Sequence, residues 1–268
     1  MSKDEKNKKN TVSTAIGVDI GGTGIKGGIV DLKKGKLIGS RFRIDTPTPS
    51  TPEAVAEVVR QIVEELGTRD QSPAGDAPVG ITFPAIIHEG VALSAANVDT
   101  SWIDTDVDTL FTDVLKRPVQ VMNDADAAGL AEARYGAGAG VKGSVMLITL
   151  GTGIGSGLVH NGVLVPNLEL GHLEIDGHDA ETQASASARE RDDLSWEEYA
   201  VRLQRYFSHV EFLFSPRLFV VGGGISKRSQ DFLPQLDLRT PIEPAHLKNN
   251  AGIVGGALQS AIHHGLHD

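Results

Sequence analysis

Cysteine is absent from all 268 residues. That excludes disulfides, a thiolate nucleophile and cysteine-ligated zinc or iron–sulfur clusters. Long apolar runs are also missing, and none approaches the roughly 20 residues that a membrane-crossing helix needs. The first ten residues are charged and polar with no apolar stretch behind them, so residues 1–13 read as a disordered leader and not as a signal peptide. These absences together predict a cytoplasmic protein without membrane contact. A basic excess is lacking too: the formal net charge is −10, which opposes non-specific binding to nucleic acid. A polyanion would need a local cationic groove. Arg41 and Arg43, Arg202 and Arg205, Lys227 and Arg228, and Lys248 are the candidates, though each also reads as part of a solvated, mixed-charge surface.

What is present is enough apolar residue, 40%, to build cores for about two domains. Short apolar strands are predicted at residues 15–19, 25–32 and 37–44, with a glycine-rich turn between the first two. Thr46 to Pro52 breaks the chain. A helix then begins near Pro52, with Ala54, Val55, Val58, Val59, Ile62, Val63 and Leu66 on one face, and stops at Gly67. Strands follow at 79–83, 91–94 and 119–122, the last running into Asn123-Asp124 and a small-residue helix over 125–135. A second cycle gives strands at 145–149 and 154–160, an Asn161-Gly162 hairpin turn, a helix over 196–213, a strand at 218–221 and a closing helix over 252–263.

Within this order lies an internal repeat. Thr23-Gly24-Ile25-Lys26-Gly27-Gly28-Ile29-Val30 aligns without gaps to Thr152-Gly153-Ile154-Gly155-Ser156-Gly157-Leu158-Val159. Two copies of a strand, glycine turn, strand unit suggest duplicated lobes facing a shared cleft. Such a turn lets backbone approach a ligand and points several N–H groups at one anion; it also serves as nothing more than a tight hairpin. Gly22-Thr23-Gly24-Ile25-Lys26-Gly27 satisfies the dinucleotide pattern, but that fingerprint needs a helix after the first glycines. A strand is expected there instead. The Walker pattern is absent, so any phosphate site is of the hairpin kind.

Asp124 stands at a strand end, where it reads as a general base for a hydroxyl attacking a phosphoryl group. Asn123, Asp124 or Asp126 equally reads as the cap of the following helix, and the two roles are compatible. Asp19, beside the first glycine turn, suits Mg²⁺ held through water or a turn-stabilising carboxylate. In Glu169-Leu170-Gly171-His172 the carboxylate and the imidazole can both hydrogen-bond vicinal sugar hydroxyls, with Glu174 on the same face if the segment is a strand. Asn97 and Trp102 are weak alone, a loop amide and a buried aromatic.

Taken together, the ordered segments Asp19 to Gly27, Asn123 to Ala128, Gly151 to Gly155 and Glu169 to His172 resemble the ROK family of bacterial repressors and sugar kinases, over nearly the whole chain. The resemblance implies an α/β fold of two actin-like, ribonuclease H-like lobes around a central cleft, with residues 14–122 plus 253–268 in one lobe and 123–252 in the other. It implies that Asp124 deprotonates the 6-hydroxyl of a glucose-like hexose, bound by Asn97, Asn123, Asp124, Glu169, His172 and a later glutamate, Glu181 before Glu190. Donor phosphates would lie on Asp19, Gly21, Gly22, Thr23, Gly24 and Lys26, and on Gly151, Thr152, Gly153, Gly222, Gly223 and Gly224, with Mg²⁺ as cofactor. Many members carry a cysteine cluster after the E-x-G-H segment that holds zinc with the histidine. Residues 173–190 contain none, so no structural zinc is expected, and His172 would be held by packing or by Glu174. Within the family the likeness is to actinobacterial polyphosphate glucokinases, which implies inorganic polyphosphate as donor, ATP as a second one, and a homodimer. An ATP-specific hexose kinase with the same site and a non-catalytic phosphate-chain binder or phosphatase remain as alternatives. A repressor would need a helix-turn-helix domain ahead of Asp19, where fewer than twenty residues precede it. The spacing leaves open the tolerance of mannose or glucosamine.

Overall fold

The computed structural model describes residues 13–95 and 98–267. Asn97 and all but the last residue of the predicted leader lie outside the described residues. The chain divides into two compact α/β units, one comprising the chain up to Met122 together with the segment from Gly252 onward, the other Asn123–Ala251.

The first unit is built on β1 (Thr14–Ile20), β2 (Ile25–Asp31), β3 (Lys36–Ile44), β4 (Val79–Phe83) and β7 (Val119–Asn123), in the sheet order β3-β2-β1-β4-β7. β1, β2 and β3 form an antiparallel meander, and β4 adds parallel to β1. The strand after the glycine turn thus pairs back on β1 and no helix opens there, so the dinucleotide match is accidental. Helix α1 (Pro52–Gly67) starts at Pro52 because the Thr51 hydroxyl caps it, accepting from the Ala54 N–H at 3.4 Å. It buries Val55, Ala56, Val59, Ile62, Val63 and Leu66, each contributing roughly 1.5–3 kcal/mol when a large side chain is fully removed from water. Ala54 and Val58, expected on that face, are only half-buried. A two-residue hairpin, β5 (Ile87–His88) with β6 (Val91–Ala92), stands where a longer alternating strand was expected. Helix α2 (Val107–Leu115), capped by Asp106, was not foreseen. Trp102 is structural: its ring packs on Phe83 and Phe111, and its indole N–H donates to the Ser50 carbonyl at 2.7 Å.

The second unit repeats this plan. After α3 (Asp124–Tyr135) come β8 (Ser144–Leu150), β9 (Ile154–His160) and β10 (Val163–Val165) as an antiparallel meander. A two-strand hairpin, β11 (Glu174–Ile175) with β12 (His178–Asp179), two short helices, α4 (Glu181–Ala184) and α5 (Ala186–Arg191), and the long α6 (Trp196–Phe214) follow. β13 (Leu218–Gly222) then adds parallel to β8, and β14 (Ile242–Pro244) parallel to β13, giving the order β10-β9-β8-β13-β14. Both five-stranded sheets therefore follow one topology, and the two repeat segments occupy equivalent positions, a glycine turn and the second strand of each meander. This is the actin-like order expected of the fold class.

The chain returns to the first unit as α7 (Ala251–His263). It lies so close to the sheet that a Cβ on Gly17 would strike the Ile253 carbonyl, and one on Gly80 the Gly256 carbonyl. Gly17 and Gly80 are paired neighbours on β1 and β4, so a glycine platform receives the helix. Among the described residues no helix is long and apolar enough to cross a membrane.

Candidate active site

In the second unit, the junction of β7 with α3 sets three polar side chains in four residues. Asn123 is the cap: its Oδ1 accepts from the N–H groups of Ala125 and Asp126 at 2.8 and 3.1 Å. Asp124 opens the helix, is exposed, and accepts from its neighbour Ala125 at 2.8 Å. The helix N-terminus favours a carboxylate there. Capping therefore falls mainly to Asn123, and Asp124 is exposed at the helix start. Asp126 is turned inward, 1% exposed, and its Oδ2 accepts from the Asn167 N–H at 2.8 Å. Burial, reinforced by the charges of Glu169 and Asp124, pushes its carboxyl up to about 7. Its Oδ1 is buried without a hydrogen-bond partner.

That bond ties α3 to the segment carrying the next group. Glu169 is half-buried, and burial together with Glu181 raises its carboxyl while His172 acts the other way. Glu181 begins α4, and its Oε2 accepts from the Ile154 N–H at 3.1 Å. The carboxylate lies directly on Gly153, where a Cβ would collide with Oε2. Glu169 and Glu181 both act electrostatically on His172, whereas Glu190 sits exposed on α5. His172 is held neither by packing alone nor by Glu174. Its Nδ1 bonds Asp179 Oδ2 at 2.9 Å, because the β11–β12 hairpin folds Asp179 opposite Glu174. Sequence spacing missed Asp179; the Asp176-Gly177 turn signal was the clue available. His172, Asp179 and Glu181 bring three potential ligand atoms within 4.8 Å of one another.

The glycine turns differ in what surrounds them. In the first unit, the Gly21 N–H closes the turn on the Gly24 carbonyl at 3.3 Å, and Thr46 and Arg43 tie it to the end of β3 by bonds to the Gly21 and Thr23 carbonyls. Arg43 also lies against Gly24, where a Cβ would meet its Nε at 2.5 Å. Asp19 accepts from Thr82 Oγ1 at 2.9 Å and lies 3.7 Å from Lys26 Nζ. This turn is flanked by two cations, each paired with a carboxylate: Lys26 with Asp19, and Arg43 with Asp45 at 2.6 Å. In the second unit the Gly151 N–H closes on the Gly153 carbonyl at 3.0 Å and Ser187 donates to Gly151. Gly223, at φ 82°, packs onto the Leu150 backbone so tightly that no Cβ fits. The Glu181 carboxylate already occupies the Ile154 N–H of that turn, so the two matched turns are not chemically equivalent. Of the predicted cationic contributors, Arg43 reaches a glycine turn. Arg205 is paired with Asp176, Arg202 with Asp192 and Arg228 with Asp231.

Comparison with known proteins adds to this geometry. The ROK family profile matches residues 15–186. A polyphosphate glucokinase of Mycobacterium tuberculosis is 48% identical over 246 residues, spanning 91% of this chain and 90% of that protein. Among solved structures, an inorganic polyphosphate/ATP-glucomannokinase from Arthrobacter sp. strain KM is 70% identical, with a TM-score of 0.89 over 94% of this chain and all of that one (100%). A ROK family glucokinase from Streptomyces griseus, solved with glucose and AMPPNP, is 25% identical with a TM-score of 0.76, covering 93% of this chain and 99% of the other.

Proposed function

Since this chain belongs to the ROK family, we propose that it is a glucokinase that moves the terminal phosphoryl group of inorganic polyphosphate to the 6-hydroxyl of glucose. ATP serves as a second donor. The carrying observation is that Asp124, exposed at the head of α3, is linked, through the buried Asp126–Asn167 bond, to the segment bearing Glu169, His172 and Glu181. The proposed base and the proposed hydroxyl-binding groups thus share one frame. The likeness to polyphosphate glucokinases and to a polyphosphate/ATP-glucomannokinase supports the donor.

Asp124 takes the proton of the 6-hydroxyl as its oxygen bonds to the terminal phosphorus, and the bridging oxygen leaves with the shortened chain. Phosphoryl transfer depends mostly on positioning and electrostatics. Asn123, Glu169, His172 and Glu181 would orient the sugar, with Asn97 contributing from outside the described residues. Residues 22–24, 152–153 and 222–224 would offer backbone N–H groups to the phosphates, with Gly21 and Gly151 closing their turns and Lys26 beside the first. Asp19, whose Oδ1 accepts from Thr82 and whose Oδ2 lies 3.7 Å from Lys26 Nζ, would hold Mg²⁺ through water, and when bound the ion would neutralise charge on the transferred group. The protein would work in the cytoplasm as a homodimer; light scattering on the purified chain tests the assembly.

A donor and acceptor panel tests the reading. Glucose-dependent phosphate transfer from long-chain polyphosphate, with nucleotide removed, is expected. Turnover with ATP alone would instead favour an ATP-specific glucokinase, the second reading, which the likeness to the Streptomyces griseus enzyme solved with AMPPNP supports. Mannose belongs in the panel because a similar protein is a glucomannokinase.

A further inference from the structure

The β11–β12 hairpin holds a carboxylate that the hexose-kinase chemistry has not used. Its turn residues Asp176 and Gly177 both have positive φ, 55° and 78°, the geometry of a tight two-residue hairpin in which glycine is favoured. Arg205 of α6 grips Asp176 with two bonds of 2.7 and 2.8 Å, and the Ala180 N–H closes the base of the hairpin on the Leu173 carbonyl at 2.9 Å. The turn is thereby tied to α6 and the hairpin closed at its base. Its product is the placement of Asp179, whose two oxygens do different things. Oδ2 bonds His172 Nδ1 at 2.9 Å, and Oδ1 accepts from the Glu181 N–H at 3.2 Å.

We propose that Asp179 is a positioning residue that fixes both the ring tautomer of His172 and the start of the helix carrying Glu181. A carboxylate on Nδ1 accepts only, so the proton resides on Nδ1 whenever the ring is neutral, and Nε2 is left as its acceptor atom. A sugar hydroxyl can then donate to Nε2. Because the same carboxylate caps the Glu181 backbone, the imidazole and the second glutamate are set in one step. The groups that act on the ring are Asp179, Glu181 and Glu169, and the Asp179 hydrogen bond is the main reason that His172 holds its proton to higher pH than usual. The inference rests on the hexose-kinase reading for its consequence, but not for its geometry.

The experiment compares wild type with Asp179→Asn and Asp179→Glu. Long-range proton–nitrogen spectra of the imidazoles, with His172 identified by loss of its signals in His172→Gln, report the tautomer without any assay of activity. Wild type above the ring pKa is expected to carry the proton on Nδ1, and Asp179→Asn to lose that preference. In steady state, Asp179→Asn is expected to raise the KM for glucose on the order of 10- to 100-fold, the loss of one charge-assisted contact, with donor KM unchanged. The inflection of kcat/KM for glucose that belongs to His172 should move to lower pH, and Asp179→Glu should restore part of both. A merely structural Asp179 would lower melting temperature without moving the inflection. A wild-type ring protonated on Nε2, or an unchanged glucose KM in a folded Asp179→Asn, overturns the proposal. So does a stoichiometric divalent ion whose removal by chelator frees the ring, since metal would then do the holding. If wild type transfers no phosphate to glucose, the functional reading fails and the spectra still decide the role of Asp179.

Discussion

Asp124 and Asp126 are two residues apart on one helix and face opposite environments, and chemistry follows from that difference. Asp124 is exposed at a helix start; Asp126 is buried, and its carboxyl is pushed up to about 7. Asp124→Ala should fold, since Asn123 retains the cap, and should bind glucose while kcat falls by about 10²–10⁴, the usual worth of a general base. Equilibrium glucose binding beside single-turnover phosphate transfer checks this, and near-normal turnover would remove Asp124 from the role. Asp126 gives a stability signature. Its folded carboxyl titrates near 7 against 3.8 for the free group, so between these values the folded state binds more proton than the unfolded one. Stability should therefore fall as pH rises from about 4 to about 7 and stay lowered above that, by on the order of 1–4 kcal/mol. Asp126→Asn keeps an acceptor for the Asn167 N–H without that charge, so its unfolding midpoint should exceed wild type at pH 8 and converge near pH 4. Residue types and order singled out Asp124, Glu169 and His172 as candidates in the sequence. The inward turn of Asp126 was not, because helix-start position alone does not say which of three acidic or amide side chains faces the core.

Elements with a strong period were legible, and those defined only by contact were not. The face of α1 repeats at helical spacing, and strands β1, β2, β4, β8, β9 and β13 are apolar runs bounded by glycine or charge. The hairpin β11–β12 has two residues per strand, too few for any period to show, and α4 and α5 have four and six. Helix α5 starts on its own Ser185 cap, while the turn of the hairpin is held by Asp176–Arg205, a contact distant in sequence. The same holds for the seat of α7, where the glycines of β1 and β4 are explained only by the helix lying on them. Gly80→Ala would force a Cβ into the Gly256 carbonyl, backbone that cannot rotate away. The expected loss is roughly 1–3 kcal/mol, the cost of overpacking a tight contact. It should appear as a lower denaturant midpoint, whereas Gly67→Ala, with open space around its Cα, should sit near wild type.

At the scale of the whole chain, duplication was visible because the repeat preserved its turn residues, while the divergence of the two turns was not. Lys26 aligns with Gly155, and Arg43 packs on Gly24 where Glu181 packs on Gly153; the first turn carries two cations, each with its own carboxylate partner, and the second a carboxylate on its glycine. The molecule as a whole carries −10. A long polyphosphate chain held at the first turn, as proposed, would be repelled at distance and attracted at close range by Lys26 and Arg43, each of which also pairs with a neighbouring carboxylate. Salt acts differently on these two terms. At about 0.15 M the screening length is roughly 8 Å, which suppresses the distant repulsion and leaves contacts of a few ångströms largely intact. The expected outcome is that kcat/KM for long-chain polyphosphate holds or rises when KCl goes from about 20 to about 150 mM at constant free Mg²⁺. A protein with a continuous cationic track would show a steep fall over that range. Arg43→Gln should lower the high-salt plateau, because the contact it removes is the short-range one, and should leave the KM for glucose unchanged. A steep fall with salt in wild type would mean that Lys227, Lys248 or other surface cations guide the chain, and that the first turn is not where the donor is held.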